Sequence, residues 1–311
     1  MEHYVTLFDS LFLPQGLALH ASLQRHAGVH RLWVLCVDER THDVLAKLEL
    51  PDVTLIRLSQ VETPELRAVK PTRSKGEYCW TLTPFAPRFV FEADGSVQRV
   101  TYLDADMWLT RSPELVFDEF TASGKAILIT EHAYAPDYDQ THWSGRFCVQ
   151  FMTFVRDSSE LVRAWWADRC IEWCYARQED GKFGDQKYLD DWPRRFAPHV
   201  HVLRQRAALQ APWNASRFAP SESVAFHFHA LRTMPKGRIV ATDGFYRIPY
   251  TTLSLIYKPY VADLRDASAR LVAIGAAPQP QLNDSVATVW LRCVWARRHT
   301  WKQNLLPKIF V

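Results

Sequence analysis

The chain has 311 residues, 48% of them hydrophobic, with 12 tryptophans and a net charge of +3. That length supports one large α/β domain or two small ones with a sizeable core, and so weak a charge excludes binding driven by a strongly basic surface, so no nucleic-acid partner is expected. No run approaches 18 uninterrupted apolar residues and the start, Met1-Glu2-His3-Tyr4, shows no basic stretch leading into an apolar one, so neither a transmembrane helix nor a signal peptide is expected.

In chain order, Tyr4 to Phe8 reads as a strand, Pro14 to His26 as a helix, Leu32 to Val37 as a strand, Asp43 to Leu48 as a short helix and Val53 to Leu58 as a third strand. Strand–helix–strand at this spacing implies parallel strands joined by crossovers. No G-x-G-x-x-G follows the first strand, which argues against a dinucleotide oxidoreductase. Residues 69–78 read as a polar, basic loop carrying Arg73 and Lys75, and Trp80 to Glu92 as an aromatic helix whose start is limited by Pro84 and Pro87.

Val97 to Leu103 is a buried-strand pattern that ends in Asp104-Ala105-Asp106. In open α/β sheets ligands bind outside the carboxyl ends of strands. Two carboxylates there are costly unless a cation sits between them. Hard oxygen ligands suit Mg²⁺ or Mn²⁺, which keep positions open for phosphate oxygens. A haloacid-dehalogenase-type phosphatase also carries D-x-D after a strand. That family sets the pair on its first strand with Thr or Val close behind, whereas here Met107 and Trp108 follow and the pair comes after residue 100.

Further strands are expected at Ala126 to Thr130, where Glu131-His132 could supply a base or merely cap the strand, and at Phe147 to Val155. Ser159 to Arg177 reads as a long helix with Val162, Trp166, Cys170 and Cys174 on its core stripe. Gly181 to Lys187 breaks it. Val224 to Phe228 reads as a late strand bearing His227 and His229, with Arg232 and Lys236 beyond as candidates for phosphate oxygens. An imidazole added to two aspartates leans toward Mn²⁺. Thr251 to Ala273 is helical in parts.

The six cysteines have no framework of spacings, which points to a reduced, cytoplasmic chain, and Cys170 and Cys174 read as helix packing. The segment 276–281 reads as a hinge. Beyond it, residues 285–311 contain no acid and five cations, leaving residues 1–284 at −2. With Trp290, Trp295 and Trp301 interleaved, this end reads either as an interfacial anchor at the inner membrane face or as a helix docked on the core.

Four segments together resemble the GT-A nucleotide-sugar glycosyltransferases, and more loosely the glycogenin and lipopolysaccharide galactosyltransferase branch. They are Thr6-Leu7-Phe8-Asp9-Ser10, Tyr102-Leu103-Asp104-Ala105-Asp106, Gly184-Asp185-Gln186-Lys187-Tyr188-Leu189 and His227-Phe228-His229-Ala230. The run Lys70 to Trp80 also resembles a bacterial group of surface-polysaccharide glycosyltransferases. The resemblance covers roughly residues 3–240.

The resemblance implies an α/β GT-A (Rossmann-like) fold: a mostly parallel central sheet flanked by helices, with a C-terminal helical extension. A glycosyltransferase domain would span 1–275, its nucleotide-binding half about 1–110 and its sugar and acceptor half about 111–275, followed by the hinge and basic segment 276–311. It implies Asp104, Asp106 and His227, with His229 as the other candidate, as ligands of Mn²⁺ or Mg²⁺. Phe8, Asp9, Arg73, Lys75, Arg232 and Lys236 would bind the nucleotide diphosphate, and Asp185 and Gln186 would lie beside the sugar. The family's F-N-x-G falls near Phe147-Cys148-Val149-Gln150 without its Asn or Gly, so that contact to the sugar is lost or passes to Gln150.

The activity implied is sugar transfer from a nucleoside-diphosphate sugar to a hydroxyl of a glycan or lipid-linked acceptor in bacterial cell-surface glycan synthesis. Retention is favoured, and Glu131 is the base if the enzyme inverts. The alternative is a non-catalytic nucleotide-sugar or glycan-binding protein of the same fold.

Overall fold

A computed structural model describes residues 1–284 together with 288 and 289. Twelve strands are defined among them: β1 (Glu2–Phe8), β2 (His30–Cys36), β3 (Val53–Arg57), β4 (Arg99–Leu103), β5 (Met107–Leu109), β6 (Ile127–Glu131), β7 (Phe147–Val155), β8 (Val200–Val202), β9 (Leu209–Gln210), β10 (Ala225–His227), β11 (Arg232–Thr233) and β12 (Ile239–Val240). Seven form the main sheet, in the order β3-β2-β1-β4-β7-β6-β8. All its pairings are parallel except those of β7, which runs antiparallel to both β4 and β6. A second sheet, β5-β10-β9, stands beside it.

Strand alternation explains the two cores. Val5, Leu7, Tyr102 and Met152 point into one apolar cluster with Trp166 and Trp192, while Tyr4, Phe8, Leu103 and Phe151 point into the other with Leu13, Leu17 and Phe117. β7 is buried along nearly its whole length, which its near-continuous apolar sequence FCVQFMTFV anticipates. Gln150 and Thr153 are the polar exceptions in that run, and both are fully buried.

The expected strand–helix–strand start is present, with helices Leu13–His26 and Glu39–Leu48 between the strands. The second helix begins four residues earlier than expected because Asp38 accepts from the Thr41 amide at 2.7 Å and caps it.

The segment 69–78 is not a loop. It is a turn, Lys70–Thr72, leading into the helix Lys75–Leu82, which a reciprocal Ser74/Glu77 capping box starts. The aromatic helix is in fact two, Lys75–Leu82 and Ala86–Ala93, separated by a tight turn at Thr83–Phe85 that carries Pro84. The long helix stops at Glu172 because Trp173 turns to extended backbone. β10 ends at His227, so His229 lies past the strand rather than on it.

At the C-terminal side, helix Lys258–Ala273 packs on helix Leu13–His26. The segment read as a hinge is tied down: Gln281 Oε1 accepts from Gln15 Nε2 at 2.9 Å and from the Thr233 amide at 3.0 Å. No helix among the described residues is long and apolar enough to cross a membrane. The basic segment from Ser285 lies outside the described residues apart from Thr288 and Val289.

Candidate active site at the carboxyl ends of β1 and β4

β1 and β4 are adjacent and parallel, so their carboxyl ends open on the same side. Phe8 at the end of β1 with Asp9 after it, and Asp104 to Asp106 after β4, line one cavity of about 460 Å³. Asp9 caps the following turn by accepting from the Leu11 amide at 3.0 Å, and burial raises its carboxyl above the usual range.

The D-x-D turn is held from two directions. The Asp104 amide donates to the Gln150 carbonyl of β7 at 3.1 Å, and the Met107 amide closes the turn onto the Asp104 carbonyl at 3.0 Å. The chain then runs into β5, which pairs antiparallel with β10 so that Met107 faces His227. The Phe228 amide donates to the Asp106 carbonyl at 3.0 Å. Pairing of β5 with β10 thus brings His227 across about 120 residues of sequence to the two aspartates.

The Nε2 of His227 is 3.1 Å from Asp106 Oδ1 and 3.8 Å from Asp104 Oδ2. One ligand atom from each of Asp104, Asp106 and His227 can be chosen so that all three lie within 4.8 Å of one another. Two hard carboxylates and one borderline imidazole suit Mn²⁺ and tolerate Mg²⁺. Tyr102 donates its hydroxyl to Asp104 Oδ1 at 2.9 Å and fixes that carboxylate.

The electrostatics describe a site built for added positive charge. Burial would raise the Asp106 carboxyl, but the His227 imidazole and its hydrogen bond, with help from Arg232, hold it down at about 2. Burial opposes protonation of His227, yet Asp106 and Asp104 carry it well above the ordinary imidazole range. Asp104 is raised by burial and by Asp106. Asp185 is pushed up to about 8 by burial first and by Asp104 next, and its Oδ2 is buried without a hydrogen-bond partner among the described residues. Asp106 and His227 thus compensate each other, while Asp104 and Asp185 are raised in a way that a cation would relieve.

The structure brings Phe8, Asp9, Asp104, Asp106, Asp185, Gln186, His227, His229 and Arg232 to this one cavity. Asp185 is held by its carbonyl, which accepts from Trp166 Nε1 at 2.8 Å, and Gly184 before it has φ 53° and lies against Trp80. Gln186 donates to the Ser144 carbonyl at 2.8 Å. His229 stands with its ring centre 5.9 Å from that of His227 and is held neutral, down at about 4, by burial and by His227.

Other expected residues are elsewhere. Arg73 donates to the Ile171 carbonyl at 3.1 Å and covers the Tyr175 ring at 3.9 Å. Lys75 and Lys236 are exposed and outside the cavity lining. The buried carboxylate of Glu131 also lies off the lining and is engaged by Arg146 and Arg206.

Beside His132, which the sequence offered with Glu131 as a base, the cavity has an aromatic wall that sequence reasoning passed over: Tyr134, Trp143, Trp213 and Tyr246. His132 stacks on Tyr134 at 4.7 Å, and burial lowers its imidazole to about 3. These residues come from loops and, for Trp143, the single helical turn Thr141–Ser144, where no periodicity marks them. The abundance of tryptophan was the only signal.

No family model matches the chain. Two uncharacterized proteins of Bacillus subtilis (strain 168) are similar in sequence: YfnD, 27% identical over 85% of this chain and 88% of its own length, and YfnF, 29% identical over 78% and 77%. Among solved structures, the galactosyltransferase LgtC in complex with donor and acceptor sugar analogs superposes with a TM-score of 0.52 at 12% identity, over 85% of this chain and 95% of LgtC. The fold is that of the GT-A glycosyltransferases.

The glycosyltransferase GlyE of Streptococcus pneumoniae TIGR4 matches the same GT-A frame at 0.52 and 14%, over 91% of this chain and 66% of GlyE. The bifunctional glycosyltransferase WbbM matches it at 0.53 and 13%, over 89% of this chain and 51% of WbbM. Neither alternative reading, phosphatase or binding protein, finds support in these similarities.

Proposed function

We propose that this GT-A chain is a divalent-metal-dependent glycosyltransferase that moves a sugar from a nucleoside-diphosphate sugar to a hydroxyl of a glycan acceptor. The observation that carries this reading is the convergence of Asp104, Asp106 and His227 on one cavity wall, with ligand atoms within 4.8 Å of one another. In this reading these three hold Mn²⁺ or Mg²⁺. When bound, the cation neutralises the charge that develops on the departing diphosphate.

The chain's own residues do the rest. Phe8 and Asp9 contact the nucleoside at the end of β1. Arg232, whose charge already reaches Asp106, adds a cation beside the diphosphate. Asp185 and Gln186 orient the donor sugar, the first anchored through its backbone carbonyl to Trp166 Nε1 and the second through its side-chain amide to the Ser144 carbonyl.

The acceptor enters over Trp143. This indole is 49% exposed although it lines the cavity. Its short helix is pinned before the indole by Lys187 Nζ to the Thr141 carbonyl at 2.8 Å and by Gln140 Nε2 to the Tyr246 hydroxyl at 2.6 Å, and after it by Gln186 Nε2 to the Ser144 carbonyl at 2.8 Å. A fixed, open aromatic face suits the apolar face of a sugar ring.

Inversion would need a carboxylate base at the acceptor. Glu131 is engaged by two arginines away from the cavity, so retention at the anomeric carbon is the better reading. The membrane-facing role of residues 285–311, and a place in bacterial cell-surface glycan synthesis, remain parts of the proposal that rest on the sequence.

A screen of nucleotide sugars by thermal shift, with Mn²⁺ and with EDTA, tests the reading, since a ligand of the native state raises its apparent stability. A Mn²⁺-dependent shift followed by release of nucleoside diphosphate is expected. Binding of a donor with no turnover under any acceptor mixture would replace the enzyme by a binding protein.

A further inference from the structure

We propose that Gln150 is a positioning residue that sets the tautomer and aim of His227 for a divalent cation; the inference rests on the metal reading above. Gln150 is the polar break in the middle of β7, and its side chain is wholly buried. An amide there is unfavourable unless it is used.

It is used twice. Its side-chain Oε1 stands 2.9 Å from His227 Nδ1. Its backbone carbonyl accepts the Asp104 amide at 3.1 Å. One residue of the main sheet therefore holds both the D-x-D turn after β4 and the histidine that arrives on β10 of the second sheet.

The direction of the side-chain bond decides the chemistry. An amide oxygen only accepts, so Nδ1 must carry the hydrogen. The Nε2 is then the atom aimed at the aspartates, 3.1 Å from Asp106 Oδ1. With the amide reversed, its NH₂ would donate to Nδ1 and put the imidazole hydrogen on Nε2, against the cation. The edge of Trp213 packs on the same imidazole, with ring centres 5.4 Å apart at 87°, so the ring is confined by contact and aimed by the hydrogen bond.

The Gln150 Nε2 has no hydrogen-bond partner among the described residues. The amide is therefore retained for what its oxygen does.

The test uses the full chain and Mn²⁺ alone, titrated calorimetrically into metal-free protein. Gln150→Leu keeps the bulk and removes the acceptor; Mn²⁺ binding should weaken about 10- to 100-fold. Gln150→Glu restores an acceptor for the same hydrogen and should return affinity to within about threefold of wild type.

Unchanged binding in Gln150→Leu, or failure of Gln150→Glu to recover it, overturns the proposal. If the wild type itself binds no Mn²⁺, the metal reading of the site falls with it. A readout independent of variant folding is the long-range ¹H–¹⁵N spectrum of the Mg²⁺-loaded wild type. Hydrogen on Nδ1 of His227 is expected, and hydrogen on Nε2 would contradict the assignment.

Discussion

The Nε2 of His227 lies 3.1 Å from Asp106 Oδ1, although 121 positions separate the two residues. Neither residue holds the other by accident of the loop. Met107 and His227 are register partners in the β5–β10 pair, so the same ladder that joins the strands sets the distance. A pair this close and buried has a defined consequence on mutation. Asp106→Asn should reduce Mn²⁺ affinity by at least about tenfold and kcat/KM by at least about a hundredfold, from one lost charged ligand. Calorimetry and a nucleoside-diphosphate release assay check this, and unaltered Mn²⁺ binding would remove Asp106 from the ligand set.

The carboxyl of Asp185 supplies a pH test on metal-free protein. Its folded-state value of about 8 lies far above the ordinary 3.8, through burial and through Asp104. The folded state therefore holds this proton more tightly than the unfolded chain does. Stability from this group is complete below about pH 4, is lost as pH rises toward 8, and levels off above. Asp185→Asn should match wild type near pH 4 and become progressively more stable than wild type up to pH 8. Thermal melts in EDTA across that range decide it; a constant difference between the two proteins would contradict the assigned environment.

Helix packing against the nucleotide end can be probed at Gly16. A Cβ built on this residue would sit 2.3 Å from the ring of Phe8, which lines the cavity. Gly16→Ala must push that ring aside. A loss of about 1–3 kcal/mol in stability is expected from such overpacking, together with weaker nucleotide binding. Denaturant unfolding and a nucleotide titration measure the two. A stable variant with normal nucleotide affinity would mean that Phe8 does not shape the nucleotide site.

Glu131 separates the two stereochemical outcomes. Its buried carboxylate is committed to Arg146 and Arg206. Glu131→Gln should cost about 1–3 kcal/mol of stability, as a charged hydrogen-bonded group is replaced, while leaving turnover within a few-fold. NMR of the first-formed product should show retention. A loss of a thousandfold or more with an inverted product would make Glu131 the base.

Trp143 tests where the acceptor lies. Trp143→Ala should raise the KM for glycoside acceptors about fivefold or more, as a stacking face worth about 1 kcal/mol or more is removed, without changing donor hydrolysis. An equal loss for donor and acceptor would move the indole to the donor side.

Much of the frame was legible because it rests on short-range rules. β1, β2, β3 and β4 announce themselves as apolar runs, and Asp104 and Asp106 stand where the last of them ends. His227 is legible as a candidate on a late strand, but its meeting with the aspartates is not, because that depends on the pairing of β5 with β10, two strands of three residues each. Arg73 illustrates the opposite error. A basic residue in a polar stretch suggested phosphate, but the Ser74/Glu77 capping box makes that stretch a helix start and turns the guanidinium onto Tyr175. Gln150 was noticed as the residue standing where an asparagine was expected. Its bond to His227 depends on the contact of two sheets, which no local pattern encodes.

The central claim is that Asp104, Asp106 and His227 serve a metal-dependent sugar transfer. Its most direct measurement is release of nucleoside diphosphate from a panel of nucleotide sugars by the full chain, with Mn²⁺ and with EDTA, for wild type and Asp106→Asn. Turnover of at least one donor that requires Mn²⁺ and disappears in the variant is predicted. Turnover that persists in EDTA, or survives intact in Asp106→Asn, would contradict it.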